Sequence, residues 1–213
     1  MEKAAGLKVA LLGAESTGKT TLARELAAHF SAQGRKAVAV PEALRDWCAA
    51  QGRTPRPEEQ LGIAREQERR VDEALLTHDV VIADTTAVMV AIYSAMLFED
   101  GSLYRFAVER QRGYDVTLLT GLDLPWVADG LQRDGPHVRE PVDALVRDML
   151  GQAAIPYRVV YGEGPQRLEN ALVAIDAALV PRPAARDWKW QCDKCSDPDC
   201  EHRLFSQLLG RDA

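Results

Sequence analysis

No apolar run in this chain approaches the roughly 18–20 residues that a membrane-spanning helix needs, so no membrane partner is expected. Positive charge is in deficit: 26 Lys and Arg stand against 32 Asp and Glu, a net charge of −6. Nucleic-acid binding driven by bulk charge is thereby excluded. No basic stretch stands out either, so no nucleic-acid partner is expected. An export signal is also lacking. Lys3 and Lys8 precede Val9-Ala10-Leu11-Leu12, but that stretch is short, has no A-x-A cleavage site and runs into Glu15. The expected location is cytoplasmic. Cysteines number four, and Cys192, Cys195 and Cys200 crowd the last tenth of the chain. In a chain without an export signal, that spacing points to thiols or metal rather than a disulfide framework. Aromatic residues make up only 6%.

What is present is otherwise ordinary: 46% hydrophobic and 27% charged residues, close to the globular average. A length of 213 residues suits one domain with room for an appendage. Short apolar runs at Leu7–Leu12, Ala37–Val40, Val80–Ala83, Val116–Leu119 and Tyr157–Tyr161 read as buried strands. Helical patterns lie between them. Lys19–Ala32 aligns Leu22, Leu26 and Phe30. Glu58–Leu76 aligns Leu61, Ala64, Val71 and Leu75, with Glu66, Glu68, Arg69 and Arg70 largely opposite. Val142–Leu150 and Gln166–Leu179 repeat the pattern. Strands alternating with helices predict an α/β fold of the P-loop kinase type: a parallel five-stranded sheet with helices on both faces. Composition shifts at Pro181-Arg182-Pro183. The expected division is a core over residues 1–180 and a short Cys-rich C-terminal tail over 181–213.

Gly13-Ala14-Glu15-Ser16-Thr17-Gly18-Lys19-Thr20 matches G-x-x-x-x-G-K-[ST] in full, between a strand ending at Leu12 and a helix starting near Lys19. The glycines let the backbone wrap phosphates, successive N–H groups form an anion nest, and the helix N-terminus adds its dipole. Gly13, Ser16, Thr17, Gly18, Lys19, Thr20 and Thr21 are the nucleotide-binding candidates. Lys19 would reach the β- and γ-phosphates and Thr20 would ligate Mg²⁺. Val80-Val81-Ile82-Ala83-Asp84 is an apolar strand ending in an acid, so Asp84 is the second Mg²⁺ candidate, though it would also suit a helix N-cap. No guanine-selecting N-K-x-D occurs, which favours ATP.

Three further places bear on the acceptor. Glu42 follows the second strand and stands one helical turn before Arg45. It could hold a sugar hydroxyl and accept its proton, with Arg45 bracing a phosphate, or it could be a first-turn helix acid. Gln67 could bond a carboxamide or base, but its spacing alone favours a solvated helix residue. The Gly121–Glu140 segment is long and rich in Gly, Pro and Asp, and it carries Arg133 and Arg139. Loops of that length are commonly functional, so a lid bringing both arginines over the transferring phosphate is expected.

At these residues the chain resembles a known family. Gly13–Thr21 (GAESTGKTT), Pro41-Glu42-Ala43-Leu44-Arg45 and Asp84-Thr85 carry part of the likeness. Leu124-Pro125-Trp126-Val127-Ala128-Asp129-Gly130-Leu131, followed by Arg139-Glu140, carries its most specific part. Together they resemble the ribosylnicotinamide kinase domain of the bacterial bifunctional NAD-salvage and regulator protein, over about residues 7–180. The resemblance implies ATP-dependent phosphorylation of the 5′-hydroxyl of nicotinamide riboside or a similar nucleoside. Lys19 and Thr20 would serve ATP·Mg²⁺, Asp84 the metal, and Arg133 and Arg139 the lid; Trp126 joins Glu42, Arg45 and Gln67 on the substrate side. No counterpart of the helix-turn-helix or adenylyltransferase parts is seen. The chain is therefore not expected to complete NAD synthesis by that route.

The tail departs from the resemblance. Cys192, Cys195, Cys200 and His202 read C-x₂-C-x₄-C-x-H. A full Cys₃His set would make a structural Zn²⁺ site that pins the tail to the core or to a second copy, giving a homo-oligomer. Reduced thiols on a flexible tail are the alternative. A different class of function also fits, a nucleotide-dependent switch or adaptor whose tail engages a partner. Glu42 and the two-arginine segment speak for a kinase of a small-molecule acceptor.

Overall fold

The computed structural model describes residues 6–128 and 135–180. In chain order the elements are β1 (Leu7–Leu12), α1 (Lys19–Ala32), β2 (Ala37–Val40), α2 (Ala43–Gln51), α3 (Pro57–Thr77), β3 (Val80–Asp84) and α4 (Ala87–Phe98). There follow α5 (Tyr104–Gln111), β4 (Val116–Thr120), a 3₁₀ turn (Pro136–Val138), α6 (Arg139–Gln152), β5 (Arg158–Val160) and α7 (Gly164–Leu179). All strand pairings are parallel, in the order β2-β3-β1-β4-β5. The expected P-loop kinase-type sheet is present, and α7 closes its compact unit at Leu179.

β1 is central and buried at every position. Val9 and Leu11 join Leu22, Leu26 and Phe30 of α1 and Ala171 and Ile175 of α7 on one face. Leu12 and Leu119 join α4 and α6 on the other, through residues such as Val88, Ile92, Val142 and Leu150. Burial on both faces explains why these strands read as continuous apolar runs rather than as alternations.

Three helices were not delineated by the sequence pattern: α2, α4 and α5. The reason is plainest in α4, whose residues Ala87–Ile92 are all buried, so no polar face supplies a period. Its N-cap is Thr86, whose hydroxyl accepts from the Val88 N–H at 3.2 Å, rather than Asp84. In α3 the expected solvent face needs correction at Glu68, which is 2% exposed. Its carboxylate accepts from the Ala87 N–H at 3.0 Å and from the Tyr114 hydroxyl at 3.1 Å, with Lys8 at 4.0 Å and Arg110 at 3.5 Å. A charge stays buried there because four partners converge on it.

Candidate active site

The phosphate loop leaves β1 through Gly13 at φ 144°, where a Cβ would stand 2.2 Å from the Thr120 hydroxyl. It enters α1 through Gly18 at φ 76°, where a Cβ would stand 2.9 Å from Leu124. Gly13 needs glycine for conformation and for space, and Gly18 for its left-handed conformation. Between them the Thr17 side chain is fully buried. Its hydroxyl bonds the Ala14 carbonyl at 2.8 Å and pairs with the Thr120 hydroxyl at 2.6 Å. Of the nucleotide-binding candidates, Thr17 thus has a hydroxyl that braces the loop, leaving only its backbone to face a ligand. Ser16, Gly18, Lys19, Thr20 and Thr21 line the cavity in front of the loop.

Lys19 folds back onto the loop, donating to the Gly13 and Ala14 carbonyls at 2.8 and 2.7 Å. Burial pushes its pKa below the ordinary lysine value, against the pull of the Glu42, Asp84 and Glu15 carboxylates, while Arg45 adds to the lowering. A phosphate would replace the carbonyls as its partner. The Thr20 hydroxyl donates to Asp84 Oδ2 at 2.6 Å. Asp84 is 3% exposed, and its Oδ1 is buried without a hydrogen-bond partner. A hydroxyl and a carboxylate with an unused oxygen, at the end of a strand beside an anion nest, fit the oxygen-ligand chemistry of Mg²⁺.

The cavity has a volume of about 480 Å³, and Glu42 and Arg45 line it together with the loop. Glu42 is the N-cap of α2 but makes no side-chain cap bond; its carboxylate is 3.7 Å from the Arg45 guanidinium. Met89, Tyr93 and Phe98 of α4 supply an apolar wall. Thr85, a β-branched residue at φ 75°, turns the chain at the cavity edge. Its N–H is held by the Leu11 carbonyl at 3.1 Å. A second cavity, about 440 Å³, opens on the other side of the loop between Ser16, Gly18, Leu124, Val127 and Glu163.

Gln67 differs from its expected place. It is 1% exposed, not solvated, and its Oε1 accepts from the Ala43 N–H at 2.7 Å, fixing the start of α2 directly after Glu42. The glutamine lining the cavity is Gln60, on the same face of α3. It is 2% exposed and has an unpartnered Oε1. Two glutamines seven residues apart divide the work, one shaping the site and one facing it. Trp126 is half-buried and lines neither cavity, although Pro125 and Val127 beside it line the second. Arg139 opens α6 rather than riding on a loop. It is 8% exposed and donates to the Leu122 carbonyl at 3.2 Å. Arg133 lies outside the described residues, as do Cys192, Cys195, Cys200 and His202. Among the described residues no His, Cys, Asp and Glu cluster of metal-binding size occurs, and no helix is long and apolar enough to cross a membrane.

The sheet order, the loop between β1 and α1, and the Thr20–Asp84 pair define a P-loop nucleotide-binding protein of the kinase fold. The sequence profile of the family described as AAA domain matches residues 8–167, and the chain belongs to that family. Its structure is similar to the NadR protein in complex with NR, at TM-score 0.67 and 18% identity, covering 84% of this chain and 52% of that one. It is likewise similar to the NadR protein in complex with NAD and AMP-PNP, at TM-score 0.65 and 16% identity, covering 82% and 49%. The chain thus spans about half the length of the NadR chains it matches. Deoxyadenosine kinase from M. mycoides, with products dCMP and a flexible dCDP bound, matches at TM-score 0.54 and 13% identity, over 80% of this chain and 100% of that one.

Proposed function

We propose that the protein is an ATP-dependent phosphotransferase acting on the 5′-hydroxyl of a nucleoside, with nicotinamide riboside the leading acceptor. The observation that carries this reading is one cavity holding the phosphate loop on one side and Glu42, Gln60 and an aromatic wall on the other. A switch that only binds ATP has no use for a second, part-apolar chamber beyond the γ-phosphate. Neighbours in fold include proteins solved with NR and with a deoxynucleotide product, and the Pro125-Trp126-Val127 segment resembles the ribosylnicotinamide kinase domain.

In this reading the adenine occupies the second cavity and the triphosphate lies along the loop N–H groups. Lys19 leaves the Gly13 and Ala14 carbonyls for the β/γ-phosphates. Thr20 and Asp84 would hold Mg²⁺, which would supply charge neutralisation of the phosphates there. Tyr93 and Phe98 pack on the acceptor ring, and Gln60 accepts a hydrogen bond from its polar edge. Glu42 holds the 5′-hydroxyl and takes its proton as the oxygen bonds to the γ-phosphorus and the bond from that phosphorus to the β–γ bridging oxygen breaks, releasing ADP; Arg45 keeps that carboxylate oriented. Arg133 is assigned to the charge balance on the γ-phosphate from the sequence resemblance alone, whereas Arg139, buried at the start of α6, holds the segment after β4 through the Leu122 carbonyl. A screen of ribosides and deoxyribosides for acceptor-dependent ADP release tests this reading. From its ligand spacing alone, the tail is assigned one structural Zn²⁺ on Cys192, Cys195, Cys200 and His202.

A further inference from the structure

Arg167, on the first turn of α7, is 4% exposed and is absent from every motif so far named. A buried guanidinium is costly unless its donors are used. Here one Nη donates to the Thr17 carbonyl at 2.7 Å. The other donates to the Gly162 carbonyl at 2.7 Å and meets the two Asp123 carboxylate oxygens at 3.2 and 3.4 Å. Asp123 in turn accepts from the Gly162 N–H at 2.6 Å. A single side chain thereby joins three loops: the phosphate loop after β1, the segment after β4 and the turn after β5. These follow adjacent strands of the sheet.

The bond to Thr17 has a geometric consequence. In a trans peptide the C=O and the following N–H point in opposite directions. Holding the Thr17 carbonyl toward α7 therefore aims the Gly18 N–H the other way, into the nest where the phosphates bind. Thr17 is wholly buried, so no solvent replaces the guanidinium as partner for that carbonyl. Gly18 lies in the left-handed region, and a Cβ there would be 3.8 Å from Arg167 Nε. The cation thus sits directly behind the nest, with Asp123 on its far side.

We propose that Arg167 is a positioning residue for nucleotide binding. It presets the Thr17–Gly18 peptide for the phosphates and couples that peptide to the two loops bordering the second cavity. It touches neither the acceptor nor the reacting atoms, so its loss falls on the nucleotide and spares the acceptor side. Lysine keeps the charge but lacks the planar fork that reaches the Thr17 carbonyl from one Nη and the Gly162 carbonyl and Asp123 from the other.

The inference rests on the phosphate loop binding ATP, not on the identity of the acceptor. AMP-PNP binding with Mg²⁺ is measured by calorimetry on wild type, Arg167→Lys and Asp123→Asn. Thermal unfolding is followed alongside, and KM values for ATP and acceptor where turnover is seen. The expected result is an AMP-PNP Kd raised at least about tenfold in Arg167→Lys, roughly 1.4 kcal/mol. A smaller rise in Asp123→Asn and an acceptor KM within twofold of wild type are also expected. A merely structural role would lower the active fraction and leave Kd and both KM values unmoved. Unchanged AMP-PNP affinity in a folded Arg167→Lys protein overturns the proposal. Absence of AMP-PNP binding by wild type overturns instead the nucleotide reading beneath it.

Discussion

Thr20 and Asp84 lie 64 positions apart, yet the Thr20 hydroxyl donates to Asp84 Oδ2 at 2.6 Å. The parallel register of β1 against β3, with Leu11 opposite Asp84, produces that meeting. Sequence supplied each partner separately, from a glycine-rich motif and from an acid ending an apolar run; the sheet joins them. The carboxylate keeps one oxygen unpaired inside the protein, and a divalent cation is the natural use for it.

Asp84→Asn should therefore abolish Mg²⁺-dependent turnover while preserving the Thr20 contact, since the amide oxygen still accepts a hydrogen bond. Titrating Mg²⁺ against activity and unfolding temperature checks this. A variant that keeps wild-type activity and Mg²⁺ dependence removes Asp84 from the metal site.

Glu42→Gln keeps size and hydrogen bonding but discards basicity. A fall in kcat of about 10²–10⁴ is expected, with AMP-PNP affinity little altered. Steady-state kinetics beside a binding isotherm separate the two effects. A kcat within a few-fold of wild type would reduce Glu42 to the acid at the start of α2.

The glutamines of α3 should behave differently. Gln60→Leu removes an acceptor that faces the cavity and has no internal partner, so stability should hold while the nucleoside KM rises about 2–10-fold. Gln67→Leu strands the buried Ala43 N–H, and a stability loss of about 1–3 kcal/mol is expected, with kcat reduced because α2 carries Glu42 into place. Chemical denaturation and acceptor titration of both variants give the comparison; equal stability losses would erase the distinction.

Metal analysis of protein purified without added zinc should find about one Zn²⁺ per chain, with the tail thiols protected until a chelator is added. Zinc near zero with Cys192, Cys195 and Cys200 all freely titratable contradicts the assignment.

Strand positions, the phosphate loop and the residues Thr20 and Asp84 were legible in the sequence because each depends on local pattern: apolar runs, glycines at fixed offsets, an acid at a strand end. What escaped depends on partners distant along the chain. Glu68 reads as surface charge until Lys8, Arg110, Tyr114 and the α4 N-terminus are brought around it. Gln67 reads as solvated until α2 packs over it. Arg167 carries no motif at all, and its meaning lies in Thr17, 150 positions away. Gln60 had one available signal, since it shares the helical face of Gln67 two turns earlier. Arg139 reads as loop because it ends a segment rich in Gly, Pro and Asp, whereas Pro136 opens a 3₁₀ turn that leads into α6.

The central claim is that this cavity moves a phosphoryl group from ATP to a nucleoside hydroxyl. ATP labelled in its γ-phosphate, incubated with Mg²⁺ and nicotinamide riboside, tests it most directly, with Lys19→Ala as control. The account predicts label on the nucleoside in equal amount to the ADP formed, and none with the variant. Label recovered only as inorganic phosphate, at a rate that no nucleoside in the panel alters, would contradict it.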